Sequence, residues 1–272
     1  MRPFICALIL QGLVHFAYGQ STDSSQNDEI QKVLEQQLFP GSKLDSDFHF
    51  KFREAFSELN IDTKDAYKLS GLLFKAKRSK GLIFYLHGSN DALDVWGKIA
   101  PVYTALNYDL FMLDYRGYGK SEGKVISESQ LYGDVQTAYD KLKLNYPESK
   151  IIVIGQSVGT GPSAMLAAKN NPGKLILQAP YYSLPDWIHN VVPDFDTANM
   201  KYQFKTYEYL KKTKAPVTIF HGDADDAIYP GSSQKLSLLF KQGDKLFILK
   251  GEGHNDFTKN KVYLKELKEI LK

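Results

Sequence analysis

Residues 150–161 read KIIVIGQSVGTG, an apolar run that ends in a serine flanked by glycines. Uninterrupted apolar runs of this kind are typical of strands that a parallel sheet buries on both faces. Gly155 and Gly159 stand two positions either side of Ser157, where a sharp strand-to-helix turn tolerates only small side chains. The stretch therefore predicts a buried strand, a tight turn at Ser157 and a helix over about 158–170.

The same alternation of strands and helices continues on both sides of this stretch. Apolar runs predict further parallel strands at residues 82–86, 109–114, 174–179, 216–221 and 245–249. Helical patterns predict helices at residues 95–106, 128–145, 230–241 and 257–271. Upstream, residues 48–59 and 67–75 have no helix between them and predict antiparallel strands. We expect one α/β domain over residues 48–272, with a doubly wound, mostly parallel sheet and antiparallel N-terminal strands.

The alternation lapses between Ala179 and Pro216, where prolines and aromatic residues are frequent. An insertion at residues 181–214, directly after a strand end, predicts a small lid over a site at the sheet edge. An ordinary long crossover with one helix is the alternative, and the composition does not separate the two.

The start of the chain has the pattern of a secretory signal peptide. Arg2 precedes an apolar run over residues 4–17, and Ala17-Tyr18-Gly19 offers small residues where a signal peptidase reads. The run is shorter than the roughly 20 residues that span a bilayer. We therefore expect a signal peptide at residues 1–19, an exported protein (periplasmic or secreted) and no stable membrane span after its removal. A buried helix and a retained anchor are the alternatives. Residues 20–47 are expected to form a linker with a short helix ending at Leu38.

Composition argues against several classes of site. The net charge is +3, with 34 basic and 31 acidic residues spread along the chain, so nucleic acid is not an expected partner. The single cysteine, Cys6, lies in the predicted signal peptide, which leaves no thiol for catalysis or thiolate metal binding. No histidine pair has helical spacing, and the acidic residues are dispersed, so we expect neither a metal nor a cofactor.

A serine hydroxyl is inert at neutral pH without a base, so Ser157 as a nucleophile requires a histidine. Of the six histidines, His254 follows the last predicted strand and precedes the last helix, which places it at the carboxyl edge of the sheet. His87 and His221 each precede a glycine at a strand end, where turn packing is the usual role. The others lie in the signal peptide, an N-terminal strand and the insertion: His15, His49 and His189.

The orienting acid should lie between the serine and the histidine in the sequence. Asp223, Asp225 and Asp226 follow the predicted strand at 216–221. We favour Asp225 as the residue that holds the imidazole tautomer and stabilises the imidazolium, with Asp226 in reserve.

An acyl-transfer site also needs two N–H donors for the developing oxyanion. The backbone of Val158, at the start of the helix, is one expected donor. The loop after the strand at 82–86 supplies the other, with Ser89 favoured and Asn90 as the alternative.

Taken together, these motifs resemble the α/β-hydrolase superfamily in its serine-aminopeptidase-like group. Within that group, the chain is similar to small-lid bacterial relatives of the eukaryotic α/β-hydrolase-domain depalmitoylases. The segments that carry the resemblance are His87-Gly88, residues 113–121 (LDYRGYGKS), residues 155–161, His221-Gly222 with Asp225, and residues 253–255.

The resemblance implies a triad of Ser157, Asp225 and His254, with Ser89 and Val158 as oxyanion donors and a structural role for the 113–121 loop. The chain departs from the family where Ser89 stands in place of the asparagine of a His-Gly-Asn motif, which leaves Ser89 and Asn90 both open as donors.

These features predict a serine hydrolase that cleaves a carboxylic ester or thioester through an acyl-enzyme on Ser157. The expected substrate is a small-molecule or lipid-like acyl compound, because the insertion is rich in aromatic residues. A serine peptidase on the same triad, with Asp186, Asp194 or Asp196 as an anchor for a peptide terminus, is the first alternative. A non-catalytic binding protein with the same fold is the second.

Overall fold

Strands form where the sequence has its apolar runs. The structure, a computed structural model, describes residues 32–34, 36–193 and 195–272. Within that part of the chain the strands are β1 (Ser42–Lys43), β2 (Phe56–Asp62), β3 (Lys68–Phe74), β4 (Leu82–Leu86), β5 (Asp109–Leu113), β6 (Tyr118–Gly119), β7 (Ile151–Gln156), β8 (Lys174–Gln178), β9 (Val217–Gly222) and β10 (Lys245–Leu249).

Eight of these strands form one sheet in the order β10-β9-β8-β7-β4-β5-β3-β2. Strands β2 and β3 pair antiparallel, β3 pairs antiparallel with β5, and the remaining pairs are parallel. This confirms the predicted mostly parallel sheet with antiparallel N-terminal strands. The chain runs outward in opposite directions from the adjacent strands β4 and β7, so their carboxyl ends flank the crevice where such sheets bind ligands.

Helices cover both faces of the sheet. They are α1 (Leu93–Trp96), α2 (Ala100–Thr104), α3 (Glu128–Lys143), α4 (Thr160–Lys169), α5 (Leu184–Val191), α6 (Thr206–Lys212), α7 (Gly231–Ser237) and α8 (Lys261–Ile270). Successive side chains of β7 alternate between two cores. Val153 packs with α3 and α4 on one face, and Ile152 and Ile154 pack with α2 and α8 on the other. Burial on both faces explains why the strands read as continuous apolar runs.

The prediction of a strand over residues 48–59 is wrong for residues 48–55, because β2 begins only at Phe56. Phe48, Phe50 and Phe52 alternate along the sequence because they form an aromatic cluster, with Phe50 and Phe52 stacked at 6.1 Å between ring centroids. Phe52 also lies 5.1 Å from Phe74 of β3. The alternation thus reflects an extended segment whose aromatic rings pack on the sheet, and this segment forms no strand of the sheet.

The predicted helix at residues 95–106 is two short helices, α1 and α2, joined by a 3₁₀ turn over Gly97–Ile99. A Cβ on Gly97 would lie 2.4 Å from the ring of Phe52, so this turn packs directly on the aromatic cluster. The other predicted helices are present with shorter ends.

The predicted insertion at residues 181–214 contains two helices. Helix α6 packs against α4 and so serves as the crossover helix between β8 and β9. Helix α5 is capped at its N-terminus by Ser183, whose hydroxyl accepts a hydrogen bond from the backbone N–H of Asp186 at 3.2 Å. Its residues Leu184 and Ile188 are buried, and Leu184 and Trp187 line the cavity described below.

The predicted signal peptide and Cys6 lie outside the described residues. Residues 32–34 and 36–38 are helical, as part of the helix predicted to end at Leu38. The chain then pairs through β1 with β6, where Leu44 donates its N–H to the carbonyl of Gly119 at 3.0 Å. Among the described residues, no helix is long and apolar enough to cross a bilayer.

Candidate active site

Ser157 occupies the turn between β7 and α4, with a backbone φ of +52°, which places it in the left-handed region. Non-glycine residues adopt that region at an energetic cost, and such strain is found mostly at functional turns. A Cβ on Gly159 would lie 2.2 Å from the carbonyl oxygen of Leu86, and one on Gly155 would lie 2.5 Å from that of Gly159. The two glycines are therefore required by close backbone approach, and the turn presents Ser157 to a cavity.

His254 connects Ser157 to Asp225. Its Nε2 lies 2.9 Å from Ser157 Oγ, and its Nδ1 lies 2.8 Å from Asp225 Oδ2. Because an ionised carboxylate only accepts hydrogen bonds, Nδ1 carries the proton, and Nε2 is free to accept the serine proton. The structure thus brings the three predicted triad residues into one hydrogen-bonded chain.

Asp225 is held in place by several donors. Its Oδ1 accepts the backbone N–H groups of Ala227 and Ile228, each at 2.9 Å. Burial alone would raise the pKa of this carboxyl, but hydrogen bonds from His221 and His254 and the backbone outweigh it. The pKa of Asp225 is therefore held well below its usual value, so the carboxyl stays ionised beside the imidazole.

His221 is a functional residue whose part the sequence does not reveal. Its buried Nε2 lies 3.1 Å from Asp225 Oδ2 and 2.8 Å from the carbonyl oxygen of Ile228. Both partners are acceptors, so Nε2 carries a proton that both share. Nδ1 lies 2.6 Å from the hydroxyl of Ser233, which donates to it. His221 was predicted to serve turn packing. It does pack there, and it also orients Asp225, a contact that no sequence pattern signals.

The other candidates from the sequence lie elsewhere. Asp226 is exposed, and Asp223 accepts the N–H of Gly251 at 2.6 Å. His189 lies 3.1 Å from the carbonyl oxygen of Phe195. His87 is fully buried beneath the loop after β4, where burial lowers its pKa to about 4.

The expected oxyanion donors flank Ser157. Val158 is the residue after it, in the 3₁₀ turn Ser157–Gly159 that leads into α4. The loop after β4 lies opposite, since a Cβ on Gly88 would lie 3.6 Å from Ser157 Cβ. Ser89, Asn90 and Val158 all line the same cavity as Ser157. The structure places both candidate donors of this loop at the site.

In front of Ser157 lies a cavity with about 870 Å³ of empty space, part of it open to solvent. Its apolar lining comes from the N-terminal helical segment (residues 32–34 and 36–38), α1, the Ser157 turn, α5 and neighbouring loops: Leu34, Leu38, Trp96, Val158, Tyr181, Leu184, Trp187, Ala227 and Ile228. Its polar lining consists of Gln37, Ser89, Asn90, Gln156, Ser157, His254 and Asn255.

No aspartate, glutamate, lysine or arginine is among the described residues that line this cavity. Asp186 faces elsewhere, since it accepts a hydrogen bond from Tyr229 and pairs with Lys235. Asp196 is exposed and accepts the N–H of Ala198, while Asp194 lies outside the described residues. The predicted anchors for a charged peptide terminus therefore do not reach the cavity where the structure describes them.

Most of the apolar lining was not predicted as part of a site. Leu34 and Leu38 lie on the apolar stripe of the N-terminal helix, which signals burial but not the surface it covers. Trp96 and Trp187 belong to helices with no motif. Among the described residues, no group of three or more metal-ligating side chains is close enough to hold a metal ion.

Comparisons with known proteins agree with this geometry. Residues 77–208 match the family described as serine aminopeptidase, S33. The alpha/beta hydrolase domain-containing protein 17B of Homo sapiens is 32% identical over 200 residues, which cover 71% of this chain and 67% of that protein. The chain belongs to the α/β-hydrolase superfamily. This confirms the resemblance that the motifs carry, and it makes the chain a relative of the serine-aminopeptidase-like group.

Another relative is the 17C protein of Mus musculus, at 30% identity over 203 residues that cover 72% of this chain and 61% of that protein. An esterase of Pyrococcus furiosus superposes on this hydrolase with a TM-score of 0.67 at 20% identity, covering 85% of this chain and 98% of the esterase. A puromycin-hydrolyzing peptidase of Mycobacterium tuberculosis gives 0.63 at 13% identity, covering 84% and 40% of the two chains. At these identities, the solved structures show the shared fold alone.

Proposed function

We propose that this hydrolase cleaves an uncharged carboxylic ester or thioester through an acyl-enzyme on Ser157. The observation that carries the proposal is the hydrogen-bonded chain from Ser157 through His254 to Asp225, with Ser157 facing an apolar cavity. No carboxylate or ammonium group is among the described residues that line this cavity. An acyl chain gains free energy when such a surface removes it from water.

In the proposed reaction, Ser157 Oγ attacks the acyl carbonyl while its proton passes to His254 Nε2. The carbonyl oxygen becomes an oxyanion that accepts hydrogen bonds from the backbone N–H groups of Val158 and the loop after β4. As the tetrahedral intermediate collapses, the bond to the leaving oxygen or sulfur breaks, and His254 gives that atom its proton.

Deacylation repeats these steps with water. His254 Nε2 takes a proton from the water as its oxygen attacks the acyl carbonyl, and the proton then returns to Ser157 Oγ as the free acid leaves. Throughout, the ionised Asp225 accepts the Nδ1–H of His254, so the ring keeps its orientation and the imidazolium is stabilised.

A peptidase that trims a free amino terminus would need a carboxylate for the substrate ammonium, since a charged group is costly to bury unpaired. No described residue of the cavity offers one, which favours an uncharged substrate over that alternative. A non-catalytic binding protein has no use for a strained serine whose hydroxyl bonds a histidine that in turn bonds a carboxylate, so a catalytic role is preferred.

The test is hydrolysis of p-nitrophenyl esters from acetate to palmitate and of the matching thioesters, with an aminoacyl p-nitroanilide as the peptidase probe. Ser163→Ala is a matched control for Ser157→Ala, because Ser163 Oγ is buried in α4 with no hydrogen-bond partner among the described residues. We expect ester or thioester turnover that depends on chain length, vanishes in Ser157→Ala and persists in Ser163→Ala. Turnover of the anilide alone, or ester turnover that survives Ser157→Ala, would refute the proposal.

We also infer that the protein is exported, on the pattern of residues 1–19. N-terminal sequencing of the protein purified from culture fluid or periplasm should begin at Gln20 if the signal is removed where Ala17-Tyr18-Gly19 indicates. Recovery of the chain only from the cytoplasm with Met1 retained would contradict export.

A further inference from the structure

The loop after β4 has an unusual set of partners. Four successive backbone carbonyls, those of residues 87–90, each accept a hydrogen bond from an aromatic side chain. The donors and distances are Tyr115 Oη to the carbonyl oxygen of His87 at 2.9 Å, His87 Nδ1 to that of Gly88 at 2.7 Å, Tyr118 Oη to that of Ser89 at 2.6 Å, and Trp96 Nε1 to that of Asn90 at 2.8 Å.

These donors cannot reverse their role. Burial raises the pKa of both Tyr115 and Tyr118, so their phenol groups remain protonated and donate. The indole N–H of Trp96 only donates. Burial lowers the pKa of His87 to about 4, so the ring is neutral at physiological pH, and its proton lies on Nδ1 because the carbonyl beside it only accepts.

A carbonyl held from one side directs the following N–H to the other side, because the peptide unit is planar and trans. The N–H groups of Ser89 and Asn90 donate to no other group among the described residues. Both residues line the cavity, and a Cβ placed on Gly88 of the same loop would lie 3.6 Å from Ser157 Cβ. In this geometry His87 sets the direction of the Ser89 N–H and Tyr118 that of the Asn90 N–H. Tyr115 and Trp96 hold the peptide units on either side of these two.

The two tyrosines reach the loop from one turn. Tyr118 donates its N–H to the carbonyl of Tyr115 at 2.9 Å, and Gly117 has a φ of +86°, so residues 115–118 form a β-turn that requires glycine. Arg116 fixes this turn from its other side through bonds of 2.7 and 2.8 Å to the buried Asp134. Hydrogen bonds within the turn and from Arg116 to Asp134 thus hold this part of the 113–121 motif in place.

We propose that Tyr115 and Tyr118, assisted by His87 and Trp96, are positioning residues that preorganise the oxyanion-binding loop. The inference rests on the proposed function. It gives the tyrosines of the 113–121 motif a catalytic consequence, since N–H groups fixed before the reaction need no reorganisation when the oxyanion forms.

The test uses Tyr118→Phe and Tyr115→Phe, which delete only the hydroxyl that holds a carbonyl. We expect kcat for a p-nitrophenyl ester to fall about tenfold in Tyr118→Phe and by less in Tyr115→Phe, whose hydroxyl holds the adjoining peptide unit. Both losses are smaller than the roughly 10²- to 10³-fold for removing an oxyanion donor itself. KM should change less than twofold. The affinity for a trifluoromethyl ketone, whose adduct with Ser157 carries an oxyanion, should fall in parallel with kcat. A merely structural role would not produce that parallel.

Tyr139→Phe is the matched control, because this buried tyrosine bonds Glu148 at 3.3 Å, away from the loop. The inference is overturned if the wild type and Tyr139→Phe turn over ester and the two loop variants match them in kcat. It is also overturned if kcat falls while ketone affinity does not. An inactive wild type would refute the proposed function, and with it this inference, so the two failures are distinguishable.

Discussion

The cavity in front of Ser157 has two walls, and they are built differently. The wall along the sheet edge, here called the reaction wall, contains Ser157, Val158, His254 and the 87–90 loop. Each of its parts follows the end of a strand of the sheet and is fixed by short polar contacts or by backbone packed against backbone. The facing wall, here called the acyl wall, consists of Leu34, Leu38, Leu184 and Trp187. It is formed by apolar side chains on short helices.

This difference follows from what each wall has to do. Proton transfer and oxyanion binding need atoms placed within about 0.5 Å, which only rigid elements with supporting hydrogen bonds provide. An apolar surface needs only suitable size and shape, and many side chains supply that. Changes in the reaction wall should therefore act on kcat, and changes in the acyl wall on the choice of substrate.

Apart from loss of the nucleophile itself, the largest effect is expected from Asp225→Asn. The amide leaves the shape intact, but it favours the wrong imidazole tautomer and no longer stabilises the imidazolium, so kcat should fall about 10⁴-fold. Asp226→Asn, at an exposed position on the same loop, should retain wild-type kcat. If Asp226→Asn is the inactive variant and Asp225→Asn is active, the assigned acid is wrong.

The support beneath the reaction wall should make stability depend on pH. The pKa of His87 is about 4 in the folded protein and 6.5 when unperturbed, so the unfolded chain binds the extra proton first. His87 thus contributes stability that is present above pH 6.5 and lost as the pH falls toward 4, by about 3 kcal/mol. Burial raises the pKa of Asp114, which acts with the opposite sign in acid.

Denaturant titrations of the wild type and His87→Asn across pH 4 to 7 separate these two groups. The free energy of unfolding should lose its His87 component in the variant, so the wild type should show the steeper decline with acid. Parallel curves would contradict a buried, neutral His87.

Close backbone packing behind the nucleophile predicts that a side chain at Gly159 lowers the rate of turnover. In Gly159→Ala the new Cβ would meet the Leu86 carbonyl oxygen at 2.2 Å, so the turn or the 87–90 loop must shift. A displacement near 1 Å costs about 10²-fold in rate, which should appear in kcat/KM. Gly133→Ala is the control, since a Cβ at that position of α3 meets nothing within 4 Å. Equal activity of the two variants would show that the turn has room.

The acyl wall should give the smallest effect, and one of a different kind. Leu34→Trp fills cavity space, so kcat/KM for long-chain esters should fall about tenfold while that for acetate is unchanged. Leu144→Ala, at a side chain that is 82% exposed, should change neither. A uniform loss over all chain lengths would place Leu34 in the reaction wall and break the comparison.

The same contrast explains which parts of the fold and of the site could be predicted from the sequence. The strands and the residues now found in the reaction wall could be predicted, because glycine spacing and strand-end positions reflect local geometry. His221 was assigned to turn packing because its contact with Asp225 depends on a curled loop that no pattern encodes. Residues 48–55 were wrongly predicted as a strand, because aromatic side chains that pack on a sheet can alternate in sequence as the residues of a strand do. Leu34 and Leu38 showed an apolar stripe, but a stripe does not say which surface it covers, and only the folded structure shows both side chains in the cavity lining.

The central claim is that Ser157 forms a covalent acyl intermediate, and trapping it is the most direct test. Turnover of a p-nitrophenyl ester should be quenched in acid, and the protein analysed by intact mass and peptide mapping. We expect one acyl group per chain on the peptide that contains Ser157, absent from Ser157→Ala and present in Ser163→Ala. Ester turnover at the same rate in Ser157→Ala, with acyl mass on another residue or on none, would contradict it.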